Sequence, residues 1–369
     1  MPVEQARRPP LPLLTSLRFF AAAEVVAFHF VTTRQGGPSP AEGVVAGLAS
    51  GGFAAVAFFF VLSGFILTYV HAGPDPGTPV DVPARRFWRL RLARLAPAYW
   101  VGLVLALPVL AMQLQAGALP GWARLAGPLM VLLFVQAWWP PLATLWNMPA
   151  WSLSVEVLFY ALFPWLARLT ARVPPPTLLA VSALGIVATT WLRREFLSPE
   201  GLFPEPRGDL LVQAYFPPLY LPHFLFGMAL GLWHLHGGRP RPPAWLLPAA
   251  SLAIVALFAA ASWLPWWTRS DAALMPLFAV AILAGATPAP ARGLLAHPAL
   301  QRLGEASYAL YILHLPLRLW WDIALLALGI ELPEALSFVL YFAVATVASL
   351  AVLRWVETPL RRRIAGQAR

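Results

Sequence analysis

Arg18 and His29 stand eleven residues apart within one apolar stretch near 11–31. At 3.6 residues per turn that is close to three full turns, so a helix carries both on one face, about 16 Å apart along its axis. Ionisable groups inside a membrane-crossing segment are expensive and mark function by default. An arginine snorkelling to one interface and a histidine at the other would satisfy the pattern without chemistry. The shared face points instead to the two ends of a buried site. Glu24 lies off that face, and its role stays open between structure and function.

A second cluster runs from Asn147 to Tyr160, where Ser152 and Glu156 put a hydroxyl and a carboxylate on neighbouring turns of one helix face. Ser152 suits a helix N-cap, but Glu156 sits deeper than a cap or a dipole-stabilising carboxylate needs. His314 is a third candidate, set in an apolar helix that opens at Gly304-Glu305; a satisfied structural histidine and a functional one fit it equally. His71, His223, His234, His236 and His297 fall at segment ends or connectors, where interfacial placement suffices. No His/Asp/Glu spacing suggests a metal site, and HExxH, a phosphate-binding P-loop and GxGxxG are all missing. With no cysteine, disulfides, Cys-ligated zinc, iron–sulfur clusters and Cys nucleophiles are excluded.

The elements that must hold these residues are membrane helices. The chain has 369 residues, 59% hydrophobic and only 11% charged, against roughly 25% charged in soluble domains. Apolar segments of spanning length lie near 11–31, 51–71, 96–116, 122–139, 150–167, 177–192, 212–234, 244–264, 271–287, 305–328 and 335–355. Pro- or charge-rich connectors separate them. The start is no convincing secretory signal, because Arg18 and Glu24 interrupt its apolar run.

All 26 basic residues are arginine and the net charge is +10. In so hydrophobic a chain this excess reads as topology rather than nucleic-acid binding. Arg7 and Arg8, the run Arg85, Arg86, Arg89, Arg91 and Arg94, and Arg361–Arg363 all look cytoplasmic. Counting back from the C-terminus adds the Arg168/Arg172, Arg239/Arg241 and Arg292/Arg302 connectors. Both termini inside demands an even number of crossings. One of 96–116 and 122–139 then fails to cross, or re-enters where protein covers its backbone. The expectation is an all-α bundle of about ten crossings over a single domain, 1–369, multi-pass in the cytoplasmic (inner) membrane. The 85–94 stretch reads as an interfacial amphipathic helix.

The same residues carry a resemblance. The stretch from Leu17 through His29 resembles the Arg-x10-His signature of the membrane acyltransferase 3 family, which includes bacterial O-acetyltransferases of surface polysaccharides. Phe59–Ile66, Arg91–Trp100, Trp151–Glu156, Ser307–Pro316 and Val356–Pro359 resemble five further blocks of that family, in order from end to end. Two departures are Ser16-Leu17-Arg18, where many members have Asp-Gly-Leu-Arg-Gly, and Leu95 in place of the usual Ile. No extracytoplasmic SGNH-type esterase domain follows Arg369, so any second transfer protein would be a separate partner.

The resemblance implies transfer of an acyl group, most simply acetyl, from cytoplasmic acyl-CoA to a hydroxyl of a cell-surface glycan or lipid-linked sugar, without a permanently bound cofactor. Arg86, Arg89, Arg91 and Arg94 would bind CoA phosphates. Arg18 would hold a phosphate, the pantetheine or the thioester carbonyl. His29 would act as general base or carry the acyl group, and Glu156 would orient it if folding brings the two together. Ser63, Trp151, Ser152, Tyr160, Ser307, Tyr308 and His314 would support the substrate or the fold. A secreted small molecule such as a macrolide sugar is an alternative acceptor. A transporter of a glycan intermediate is an alternative function, although it lacks the two similar halves with broken helices that such folds show.

Overall fold

A computed structural model describes residues 8–32, 47–73, 75–78, 82–117, 119–197, 215–237, 242–243, 245–287 and 293–364. Among them there is no strand. Helices run over Pro12–Thr32 (α1), Gly52–His71 (α2), Ala84–Leu105 (α3), Leu107–Gln115 (α4), Gly121–Leu132 (α5), Trp151–Thr170 (α6) and Pro175–Leu197 (α7). They continue over Leu221–His236 (α8), Leu246–Ala259 (α9), Asp271–Gly285 (α10), Pro298–Leu328 (α11), Glu334–Val352 (α12) and Thr358–Ile364 (α13). Arg7, Arg239, Arg241 and Arg292 lie outside the described residues.

Two helix pairs form the frame: α2 packs along α8 and α1 along α11. Both depend on a missing side chain. A Cβ on Gly227 would stand 1.9 Å from the Val61 carbonyl oxygen, and one on Gly304 would stand 1.8 Å from that of Thr15. Only glycine lets the paired backbones come that close. The core between the pairs is aromatic: Phe60 meets Trp151, Phe159 and Tyr220, and Phe159 stacks on Phe224 at 4.5 Å. The outward faces are apolar too, with Leu184, Val187 and Trp191 on α7 and Val339, Val344 and Val347 on α12 exposed. In water such faces would demand a partner; in a bilayer they meet lipid.

Among the described residues seven helices are long and apolar enough to cross a membrane, and α3 with α4 makes an eighth, bent by 58°. The figure of about ten is reached only by adding α8 and α9. Their 16 and 14 residues rise about 24 and 21 Å, short of a hydrocarbon core of about 30 Å. The 96–149 region, where the topology counts collide, holds that bent pair, the 12-residue α5 and a run of 3-10 turns. The basic 85–94 stretch corrects one expectation. It is not a separate interfacial helix but the opening turns of α3, continuous to Leu105 with Pro97 inside.

Most of the described arginines gather at one end of this bundle. Arg8 donates to carbonyls at the close of α2, Trp88 Nε1 donates to the Tyr160 carbonyl, and α13 packs on α3. The beginnings of α1, α3 and α11 and the ends of α2 and α6 therefore share this end. Arg302, Arg168, Arg172 and Arg361–Arg363 belong to it.

Candidate active site

A cavity of about 360 Å³ enters the bundle from the arginine-rich end, between α1, α2, α3, α6 and α11. The i, i+3, i+4 spacing of Val56, Phe59, Phe60, Ser63, Ile66, Leu67 and Val70 turns one side of α2 into its wall. Arg8, Arg91 and Arg94 line it together with Arg18, Glu156 and Tyr160, and Ser152 and Tyr311 lie towards its inner end. Arg8 satisfies the last carbonyls of α2, donating to Ala72 O at 2.8 Å and Gly73 O at 3.3 Å, and also to Tyr69 O. Arg91 lies over the Phe87 and Tyr160 rings, at 5.2 and 5.8 Å from their centroids. Tyr160 donates its hydroxyl hydrogen to Glu156. Tyr308 donates to Leu95 O at 2.7 Å and Ser307 to Gly304 O at 2.8 Å.

His29 lies beyond this cavity, at the far end of α1, and its ring meets that of His314 at a centroid distance of 5.0 Å. Both histidines are buried. Their carbonyl partners settle which nitrogens carry hydrogen, since a carbonyl can only accept. His314 Nδ1 faces Tyr311 O at 2.7 Å and must donate, which leaves the lone pair of the neutral ring on Nε2. His29 Nδ1 faces Val25 O at 3.0 Å and His314 Nε2 at 3.1 Å, so its one hydrogen serves both. The lone pair of neutral His29 therefore sits on Nε2, the nitrogen with the chemistry of a base. Tyr341 donates to His314 O at 2.7 Å and anchors the pair to α12.

One turn further along α11 the polar track continues, with Arg318 lying 3.8 Å over the Phe30 ring and donating from Nε to Asp322 at 2.9 and 2.8 Å. Residues 311, 314, 318 and 322 thus trace one side of α11 from the arginine-rich cavity towards the opposite end of the bundle.

Of the residues singled out in the sequence, Arg18, Ser63, Arg91, Arg94, Ser152, Glu156, Tyr160, Ser307 and Tyr308 line the one cavity. His29 and His314 pair just past it, and Trp151 packs against Tyr215 and Tyr220 at 5.0 and 5.3 Å. Arg86 and Arg89 lie on the exposed side of α3, outside the cavity wall. Glu156 stays in that wall, and His314 occupies the place beside His29 that the sequence offered to Glu156. Glu24 accepts from the Gly51 backbone N–H at 2.9 Å and so ties α1 to the start of α2. Ser152 is not an N-cap: it bonds Pro149 O at 3.0 Å and the Tyr311 hydroxyl at 2.8 Å.

His223 is also unlike its reading as an interfacial residue, being fully buried with Nε2 3.2 Å from Asp271. Tyr311 and Glu357 are new members of the region. Tyr311 sits four residues after Ser307, which places it on the same face of α11, a signal the motif itself contained. Glu357 closes a π-helical turn, Leu353–Glu357, a local widening often found at functional sites. It lies within electrostatic reach of Arg18 and Arg94.

Among the described residues, a helical membrane bundle with a basic cavity at one end and a buried imidazole pair past its inner limit is the architecture of a membrane-embedded protein with a built internal site. Residues 13–354 match the model of the acyltransferase domain family, and the chain belongs to that family. It is 30% identical to the acyltransferase MdmB of Streptomyces mycarofaciens, over 82% of this chain and 78% of that one. It is 29% identical to the exopolysaccharide production protein ExoZ of Rhizobium meliloti, over 86% of this chain and 92% of that protein. With the peptidoglycan O-acetyltransferase OatA of Listeria monocytogenes it shares 24% identity over 95% of this chain but only 56% of the relative. No solved structure matches. The protein is an O-acyltransferase built into a membrane.

Proposed function

We propose that the protein moves an acyl group, most simply acetyl, from cytoplasmic acyl-CoA to a hydroxyl of a cell-surface glycan or lipid-linked sugar. The observation that carries this reading is the polarity of the cavity. Its lining offers four guanidinium groups and a long apolar wall, and Tyr311 of that lining accepts from His314 through its backbone carbonyl. CoA has the matching chemistry: phosphates on a slender arm that ends in a thioester. The gathering of arginines at the cavity's mouth favours the cytoplasm as the donor side and both termini inside, by the positive-inside rule. The printed names of two relatives, an exopolysaccharide production protein and a peptidoglycan O-acetyltransferase, favour a glycan acceptor.

In this reading Arg8, Arg91 and Arg94 bind phosphates and Arg18 meets the arm further in. The acceptor approaches from the His29 end. His29 Nε2 takes the proton of its hydroxyl as the oxygen attacks the thioester carbon, and the proton passes to the leaving thiolate. His314 is a positioning residue that fixes the tautomer of His29.

The test is release of free CoA and formation of base-labile acetyl esters in membranes of the native host supplied with labelled acetyl-CoA. General-base catalysis is worth about 100- to 10,000-fold, so His29→Ala should lose ester formation on that scale while inserting and accumulating normally. Equal ester formation in that variant would overturn the mechanism. Ester formation on a secreted small molecule instead of the glycan fraction would redirect the acceptor assignment.

A further inference from the structure

The inner end of the cavity holds two buried hydroxyls contributed by different helices, Ser152 on α6 and Tyr311 on α11. Their oxygens lie 2.8 Å apart, and both face the Pro149 carbonyl oxygen, at 3.0 Å from Ser152 and 3.1 Å from Tyr311. Two hydroxyl hydrogens thus serve three close contacts. Because the Pro149 carbonyl also accepts from the Trp151 backbone N–H, both hydroxyl hydrogens can turn to an incoming oxygen without stranding it. Phe59 meets the Tyr311 ring edge-on at 6.3 Å and keeps the surroundings apolar. The Tyr311 carbonyl accepts from His314, so one member of the hydroxyl pair and one of the histidine pair lie within a single turn of α11.

We propose that Ser152 and Tyr311 are catalytic residues that bind the donor's thioester carbonyl and stabilise the oxyanion formed from it. The inference rests on the acyl-CoA reading above. The acceptor oxygen bonds to the carbonyl carbon as His29 removes its proton, and the C=O electron pair moves onto oxygen. The two O–H groups donate to that oxygen while the charge lasts. The pair then re-forms C=O, the C–S bond breaks, and the thiolate takes the proton from His29. Donors fixed before reaction in a water-poor site are the most effective form of such stabilisation. This role also gives a reason for the Ser152–Glu156 spacing: on one face of α6, Glu156 lies nearer the arginines and Ser152 nearer the reacting carbonyl.

The experiment uses the full chain in nanodiscs with acetyl-CoA carrying 13C at the thioester carbonyl. Binding of this probe is measured by calorimetry and its C=O stretch by isotope-edited infrared spectroscopy. The wild type should bind it with a red-shifted carbonyl band. Tyr311→Phe and Ser152→Ala should each lose most of that shift and about 100-fold in kcat, with the Kd for CoA itself changed less than about threefold. Intact CoA affinity reports that each variant is folded; should Tyr311→Phe fail that check, the smaller change Ser152→Ala carries the test. A red shift retained in a folded variant, or no shift in the wild type despite tight binding, overturns the hydroxyl pair. Absence of any acetyl-CoA binding in the wild type overturns the donor reading instead.

Discussion

Arg193 and Arg91 are both drawn into the helix bundle, and their surroundings differ in one respect. Arg193 has its partners within the fold: it ion-pairs with Asp271, donates to the Tyr220 hydroxyl at 2.9 Å and lies 4.8 Å over that ring. Asp271 in turn meets His223 at 3.2 Å. The group ties α7, α8 and α10 together and lies outside the wall of the cavity described above. Arg91, with Arg18 and Arg94, borders open volume. Arg91 Nε and Glu357 Oε1 are buried with no hydrogen-bond partner among the described residues, and Arg18 and Arg94 are close enough to repel each other. Buried charge that is internally paired holds a fold; buried charge left facing a cavity with unspent donors awaits a ligand.

The strongest way to break this contrast is to strand Arg193. Removing one partner of a buried ion pair costs about 3–5 kcal/mol, so Asp271→Ala should lower stability by that order in thermal unfolding of the detergent-solubilised protein. A variant that stays folded should bind acetyl-CoA as the wild type does. An unchanged unfolding temperature, or lost donor affinity in a folded sample, would show that the paired group is not structural.

The cavity group should respond in the opposite sense. Arg91→Ala combined with Arg94→Ala removes two charge-assisted contacts worth about 1.5–3 kcal/mol each, so acetyl-CoA affinity should fall about 100-fold or more. Stability should fall less than in Asp271→Ala, because the loss of Arg94 relieves its repulsion with Arg18 and Arg18 remains to face Glu357. Unfolding without a change in affinity would assign these arginines to the fold and leave topology as their purpose.

This contrast also explains what the sequence could disclose. Arg18 and Glu156 stand out because each interrupts an apolar run, and their cost is visible one residue at a time. The helices around them follow from hydrophobic length alone, so 11–31 and 51–71 fall within a residue of α1 and α2. The Arg193–Asp271–His223 group was hidden because each member sits near a segment end, where an interfacial place accounts for it singly. Only tertiary packing shows that the three converge. The His29–His314 pair is of the same kind: the residues are 285 positions apart, and nothing local says that His314 rather than Glu156 faces His29. The fate of the basic stretch turned on whether α3 breaks before Pro97, and it does not.

The smallest expected effect separates the two groups by salt. Between about 0.1 M and 1 M the screening length falls from about 10 Å to about 3 Å. Phosphates bound at an open mouth feel that change, whereas the Arg193–Asp271 contact, buried on both sides, is screened much less. Acetyl-CoA affinity should therefore weaken several-fold across this range, while the stability difference between wild type and Asp271→Ala should stay nearly constant. In the Arg91→Ala, Arg94→Ala variant the salt slope of donor binding should flatten, because fewer cations remain at the mouth to be screened. A slope equal to the wild type's would mean that the phosphates rest on other arginines, with the exposed Arg86 and Arg89 the first to examine by the same measurement.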